Sequence, residues 1–524
     1  MKHENTPLSC SADMKKEYCA KIVRIGTMHP IQGADRLVQT YLDGNSIVIP
    51  KDLYIQGEAV IYCPNETQIN RHFLSANNQF DLSHRRLNAN HAQVEALLRK
   101  GCEEEARRQV GFFNKHGRVK LIHLRGCPSY GCIFKPDQLA RWNPNLQHLN
   151  LEDYLSTDEN GIEHPYRFDT VDGRLFVQAY IPRIAQRKRK SLADKLNRRL
   201  LRFDRLIPGQ FLHHYETDTL NGNTWRFQPD TVVTISLKMH GTSVCIANLL
   251  TKVPTPLSIA SQLANRQTAR KIKALQKQRL PCPWQQKQQQ QHIQQLQQQI
   301  HQSYRLDYGP IWSSRGVIKN RYINPNVSDG FYPIDIWSQY GQLLQPHIPQ
   351  GITLYGEICG YLTGLDRMVM KHYDYGCQPG HNFLMPYRIT HTAPDGTKTE
   401  WTVQQVYQWT LRLLQQHPEL QPHIQPIHIL YHGTLRDLYP TLDTDRFWHE
   451  NLLEALRNDT AHFGMELDEP LCSHKVPREG ICIRIHNDPT PQCFKLKTTA
   501  FFHRETKLID QGLLDYEMQN QTPQ

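Results

Sequence analysis

The sequence predicts an α+β protein in which a small β-barrel, a basic linker and a larger domain of antiparallel sheets with flanking helices follow one another along the chain. Three observations predict it. The 524 residues exceed the roughly 250–300 at which a single hydrophobic core stops growing, so two or more domains are expected. Short apolar runs broken by Gly, Pro, Asn and Asp crowd the beginning of the chain, as the strands of a small barrel do. Farther on, Thr231–Leu237 alternates as a strand does, and Ile293, Leu296 and Ile300 stand at helical spacing.

In residues 1–150, Cys19–Ile25, Leu37–Tyr41, Ser46–Ile49 and Ala59–Tyr62 read as short strands. A helical insertion from about Leu82 to Val110 interrupts them, and Val119–Leu124 returns to strand before Gly126. Residues 151–210 form the linker. Between Arg183 and Arg205 it holds ten Lys or Arg residues against Asp194 and Asp204, which predicts a basic helix, either a solvated face or a strap that contacts phosphates. Residues 211–520 form the larger domain. It carries an insertion at about 262–302, where Trp284 to Gln299 is mostly glutamine and Ile293, Leu296 and Ile300 stand at helical spacing. Pro281 and Pro283 separate that helix from one before it, so the insertion reads as a helical hairpin without catalytic chemistry.

Composition narrows the function classes. No apolar run approaches the roughly 18 residues needed to cross a bilayer, and Met1–Glu17 lacks the core of a signal peptide, so a soluble, cytoplasmic protein with no membrane partner is expected; a monomer is a separate expectation that these features do not bear on. Thirteen cysteines, an odd number with no CxxC pair, fit reduced thiols. Cys127 and Cys132 lack the second pair that a zinc site needs. The net charge of +11 favours an anionic partner such as nucleic acid.

The chemistry gathers around one lysine. Thr231–Leu237 alternates, with Val233, Ile235 and Leu237 on one face and Val232, Thr234 and Ser236 on the other, and Lys238 falls on the second face. Met239-His240-Gly241-Thr242-Ser243 follows, and glycine there permits a close backbone approach to a ligand. Downstream come Ser313-Ser314-Arg315-Gly316, Leu354-Tyr355-Gly356-Glu357-Ile358, Phe383 to Ile389 with Tyr387 before Arg388, Glu479-Gly480-Ile481-Cys482-Ile483-Arg484, and Phe494-Lys495-Leu496-Lys497. Lys495 and Lys497 are two apart on a strand and share a face, leaving Phe494 and Leu496 for the core. A lysine amine has a reference pKa of about 10.4, so a nucleophilic lysine at neutral pH needs cations nearby to favour its neutral form.

In order, these strings resemble motifs I, Ia, III, IIIa, IV and V of the covalent nucleotidyltransferases, with motif I in the Lys-x-His-Gly-Thr form typical of RNA ligases. His29-Pro30 followed by Gly33-Ala34-Asp35-Arg36-Leu37 resembles the turn of tRNA-binding OB domains. With His213-His214, Asp218-Thr219 and Phe501–Glu517, the chain resembles, over roughly residues 20–517, the Deinococcus-type RNA ligase that places an OB domain ahead of the catalytic domain.

The resemblance implies an OB-type barrel that binds nucleic acid, then an ATP-grasp-like ligase domain whose nucleotide cleft lies between sheets. It implies a catalytic domain that ends soon after motif V. The implied activity is an ATP-dependent RNA ligase that joins 3′-hydroxyl and 5′-phosphate ends of broken RNA through lysyl-AMP on Lys238. The same resemblance gives Arg315 and Glu357 to the ribose and phosphate, Tyr387 to the adenine, His240 and Gly241 to the AMP phosphate, Lys495 and Lys497 to catalysis and phosphate binding, and Glu479 to Mg2+ or Mn2+. Arg484 carries over only as a supporting ion pair. Taken singly, Glu357, Glu479 and Tyr387 have ordinary structural readings, and only the ordered set gives them roles. Relatives usually have glutamate where this chain has Leu237, which loosens the expectation of adenine selectivity. A DNA ligase, a capping guanylyltransferase and an inactive nucleic-acid-binding protein are the alternatives.

Overall fold

The computed structural model describes residues 6–510 except 13, 15, 160–162, 182–204, 216, 256, 279–282, 300–303, 321–331, 443–447, 465–467 and 486–491. The basic helix expected at 183–205 therefore lies outside the described residues, apart from Arg205.

The N-terminal strands form where expected, as Ala20–Arg24, Ala34–Leu42, Asn45–Pro50, Ala59–Cys63 and Leu121–Leu124. They do not register as one closed barrel among the described residues. Instead a four-stranded sheet runs from Cys132–Phe134 through Ala59–Cys63 and Ala20–Arg24 to Tyr166–Phe168, and a separate three-stranded sheet holds His29–Ile31, Ala34–Leu42 and Asn45–Pro50. The apolar sides of Val23, Ile25, Val38, Ile47, Ile49 and Val60 meet between them. The insertion is helical at Leu82–Leu87, His91–Arg99 and Glu103–Arg108.

Two five-stranded sheets build the larger part. The first runs Asp218–Thr219, Gln492–Lys497, Gly480–Ile485, Val232–Lys238 and Ile429–Thr434. It departs from the all-antiparallel expectation at one edge, where Asp218 pairs in parallel with Phe494. The second runs Tyr304–Ser314, Thr242–Pro254, Ile352–Gly360, Asn382–Thr392 and Lys398–Glu400.

Each sheet has its own covering. The helix Trp448–Asn458 lays Trp448, Leu452, Leu453 and Leu456 over Val233, Ile235, Phe494 and Leu496 of the first sheet. The helices Ile336–Leu344 and Val403–Gln416 bury Trp337, Tyr340, Val406 and Leu413 with Val244, Ile246 and Leu354 of the second. A capping box of Thr402 and Gln405 starts the longer of these two helices by satisfying its first backbone donors. The glutamine-rich insertion is the expected hairpin, Ile259–Lys277 and Pro283–Gln298.

The helix Thr499–Asp510 joins the two halves of the molecule. Its Asp510 lies 2.8 Å from Arg118, which is also paired at 2.6 Å with buried Glu66, and Tyr130 donates to the Thr499 hydroxyl at 2.6 Å. Among the described residues no helix is long and apolar enough to cross a membrane.

Candidate active site

Lys238 is the last residue of its strand and reaches the edge of a cleft of about 850 Å³ between the two sheets. The first sheet gives this cleft Ser236, Lys238, Cys482, Arg484, Cys493 and Lys495, and the second gives it Ser243, Glu357, Met385, Tyr387 and Arg388. Arg315 and His214 enter from loops. Chain segments separated by up to about 280 positions thus converge, the strands among them because pairing places them side by side: Ser243 faces Glu357, Glu357 faces Met385, and Cys482 faces Lys495.

The electrostatic centre is Glu479, whose side chain has no exposed surface. Its Oε1 lies 2.7 Å from the Lys238 Nζ and 3.5 Å from the Lys497 Nζ, and its Oε2 lies 3.7 Å from the His240 Nδ1. A buried carboxylate is costly unless cations surround it, and here Lys238 and His240 of one motif string and Lys497 of another do so. The nearest charge to Lys238 is therefore an anion, not the cations that the sequence led us to expect. Lys497 stands one step away on the same oxygen and also meets Glu505 at 3.4 Å. Lys495 faces the cleft, where the Glu17 carboxylate from the start of the chain holds it at 2.7 Å.

His240 and Gly241 sit behind this arrangement and are not part of the cleft wall. The His240 ring is buried edge-on against Tyr373 and Phe501, each at 4.9 Å, and its backbone N–H donates to the Tyr375 hydroxyl at 2.7 Å. At Gly241 a Cβ would collide with the Ile358 carbonyl and come within 2.9 Å of the Glu357 Cγ. The structure accounts for this glycine by strand packing, where the sequence suggested ligand approach. Gly480 has φ +147° and leaves no space for a side chain against Leu496, so the residue after Glu479 is fixed as glycine by its neighbours.

Tyr387 lies on the second sheet with its hydroxyl 3.5 Å from that of Ser243. Burial, then the Glu357 carboxylate, pushes its phenol up to about 12. Behind it a buried triad ties the sheets together: Glu400 Oε1 meets the Arg388 Nε at 2.8 Å and the Arg484 Nη1 at 3.3 Å, and Arg484 also donates to the Tyr387 carbonyl at 3.3 Å. Leu237, 5% exposed, gives that end of the cleft an apolar side chain with Met385 and Ile427.

No family model matches the chain, and no curated protein does. Among solved structures it is similar to the Naegleria gruberi RNA ligase. A mutant of that protein with AMP and Mn is 14% identical, with 93% of this chain and 98% of that chain covered and a TM-score of 0.48. The form with PPi is 13% identical, with 94% and 99% covered and a TM-score of 0.48. A mutant with ATP and Mn is 14% identical, with 93% and 98% covered and a TM-score of 0.46.

Sequence reasoning missed Glu400, Tyr373, Tyr375, Glu505 and Glu17. Glu505 fell inside a stretch singled out for its resemblance, but nothing in it announced a partner for Lys497. The other four carry no local signal, since each is defined by a contact with a residue distant in the chain.

Proposed function

We propose that this chain is an ATP-dependent RNA ligase that seals 3′-hydroxyl to 5′-phosphate ends, as in repair of broken RNA, and that its N-terminal part is the OB-type, nucleic-acid-binding domain of a Deinococcus-type enzyme. The observation that carries the reading is the Lys238 amine at the cleft edge, 2.7 Å from a buried glutamate that also lies 3.5 Å from Lys497. Surface lysines at strand ends do not gather such a set.

In this reading the Lys238 amine attacks the α-phosphorus of ATP, forming the P–N bond as the bond to pyrophosphate breaks. A 5′-phosphate oxygen then attacks the same phosphorus and releases Lys238. Finally the 3′-hydroxyl, losing its proton, attacks the 5′-phosphate and expels AMP. Only a neutral amine can attack, so the Lys238–Glu479 pair is a resting arrangement that must open first. Lys495 and Lys497 hold phosphate oxygens, Arg315 and Glu357 hold ribose and phosphate, His240 backs the AMP phosphate beside Gly241, and Tyr387 stacks on the base.

The donors present suit a hard cation. Glu479 offers carboxylate oxygens among few other acids, which fits Mg2+ or Mn2+ kept mostly by phosphate and water. Such an ion would neutralise charge that develops on the phosphates.

The test is a labelled AMP adduct formed on mixing protein, ATP and magnesium. Lys238→Ala abolishes it; an adduct that persists removes Lys238 from the mechanism, and a wild-type chain that forms none supports an inactive nucleic-acid-binding protein. Labelled GTP in place of ATP separates a capping guanylyltransferase. Nicked strands that differ only in the sugar on the 3′-hydroxyl side separate RNA from DNA ligation, and equal sealing of all-DNA nicks overturns the RNA assignment.

A further inference from the structure

A second groove, about 1010 Å³, opens where the N-terminal half meets the first sheet. Its walls carry Tyr154, His164, Tyr166 and Arg167 from one half and Trp225 and Arg226 from the other. The Arg226 guanidinium lies 4.3 Å over the Trp225 ring, and the His164 ring stands edge-on to that indole at 4.5 Å. Tyr154 and Tyr166 pack edge to face at 4.9 Å, with the Tyr166 hydroxyl tied to the Leu8 carbonyl at 2.8 Å. Their rings are thereby held in place before anything binds.

Charge in the groove points to an anion. Burial pulls the Arg226 guanidinium below its usual value, and the nearby Arg167 charge adds to that against the opposing Asp218. Two guanidiniums that disfavour one another gain from an anion placed between them. The buried Arg167 Nε has no hydrogen-bond partner among the described residues. Of the acids nearby, Asp158 is engaged by the His164 Nε2 at 3.0 Å, and Asp153 at the rim accepts from Asn150 at 3.1 Å.

Aromatic faces interleaved with guanidiniums are what unpaired nucleotides use, with bases on the rings and phosphates on the cations. The path to the cleft is short on both walls. Thr217 lines the cleft and Gly222 lines the groove five positions later, while Arg226 donates to Gln492 at 3.0 Å, at the start of the strand that bears Lys495. On the opposite wall Tyr166–Phe168 pairs with Ala20–Arg24, just after Glu17, which holds Lys495.

We propose that this groove binds unpaired RNA nucleotides flanking the break, stacking bases on Trp225 and Tyr166 and taking phosphates on Arg167 and Arg226. It rests on the ligase reading for the identity of the strand, but its test does not pass through Lys238. Fluorescence anisotropy of a labelled single-stranded RNA, without ATP, measures binding to the full chain. Trp225→Ala weakens it about tenfold, as loss of one stacking platform does. Arg226→Ala lowers the slope of log affinity against log salt by about one. Adduct formation with ATP stays within about twofold of wild type in both variants, which also shows that they fold. Should Trp225→Ala fail to fold, the exposed Arg226 decides alone through its salt slope. RNA affinity and salt slope unchanged in a folded variant overturn the groove, whereas loss of RNA binding in a protein that never forms an adduct keeps the groove and sinks the ligase.

Discussion

The Glu400 triad gives the sharpest stability prediction because all three side chains are withdrawn from water: Arg388 is 5% exposed, Glu400 7% and Arg484 6%. Glu400→Ala removes the carboxylate that lies 2.8 Å from Arg388 and 3.3 Å from Arg484. Two buried cations then face each other with no carboxylate paired to either among the described residues. Breaking a buried pair in this way costs about 3–5 kcal/mol, far more than the roughly 0–1 kcal/mol of a surface pair. Arg484→Leu removes one cation and keeps the Arg388–Glu400 pair, so it costs less. The double variant is less destabilised than the sum of the two, with a coupling of about 0.5–3 kcal/mol. Denaturant unfolding with a structural probe reads all three. Because Arg484 also holds the Tyr387 carbonyl, Glu400→Ala raises the ATP concentration needed for half-maximal adduct formation. A loss below about 1 kcal/mol, or full additivity, would refute the claim that the triad is a desolvated link between the sheets.

The remaining predictions concern the cleft. Gly241→Ala forces the new methyl group against Ile358 and Glu357 and costs about 1–3 kcal/mol of overpacking; it also lowers the adduct yield, and an unchanged melting temperature would show that the turn has room. Glu17→Gln frees Lys495 from its 2.7 Å pair, so the ATP concentration for half-maximal adduct formation falls about twofold to fivefold, matching the roughly 1 kcal/mol at most that such a partly exposed pair supplies; a rise would make Glu17 a helper of nucleotide binding. In alkali, the half-buried Tyr387, with a folded value of about 12 against a usual 10, binds its proton more tightly folded than unfolded. Its stabilisation is whole below pH 10 and is lost as pH rises through about 12. Tyr387→Phe removes up to about 3 kcal/mol of the decline across that window, which unfolding curves at stepped pH, checked by phenolate absorbance, detect.

Local patterns in the sequence settled a good deal. Alternation located the strands that carry Lys238, Lys495 and Lys497 to within a residue or two, and it turned Phe494 and Leu496 toward the core and the two lysines away from it, because side-chain direction in a strand depends only on neighbours two positions apart. Glycine spacing and proline breaks likewise located motif turns and the glutamine-rich hairpin.

What alternation cannot encode is which strand lies beside which. That choice closed the two sheets over a cleft, turned the parallel edge at Asp218, and separated the N-terminal strands into two sheets. It also set a carboxylate beside Lys238 where cations were expected, brought Glu17 to Lys495 across 478 positions, and buried Glu400 between two arginines. Charges interact through space and not along the chain. The residue types were therefore written in the sequence, while the field around the lysine became defined only when distant segments packed together and excluded water.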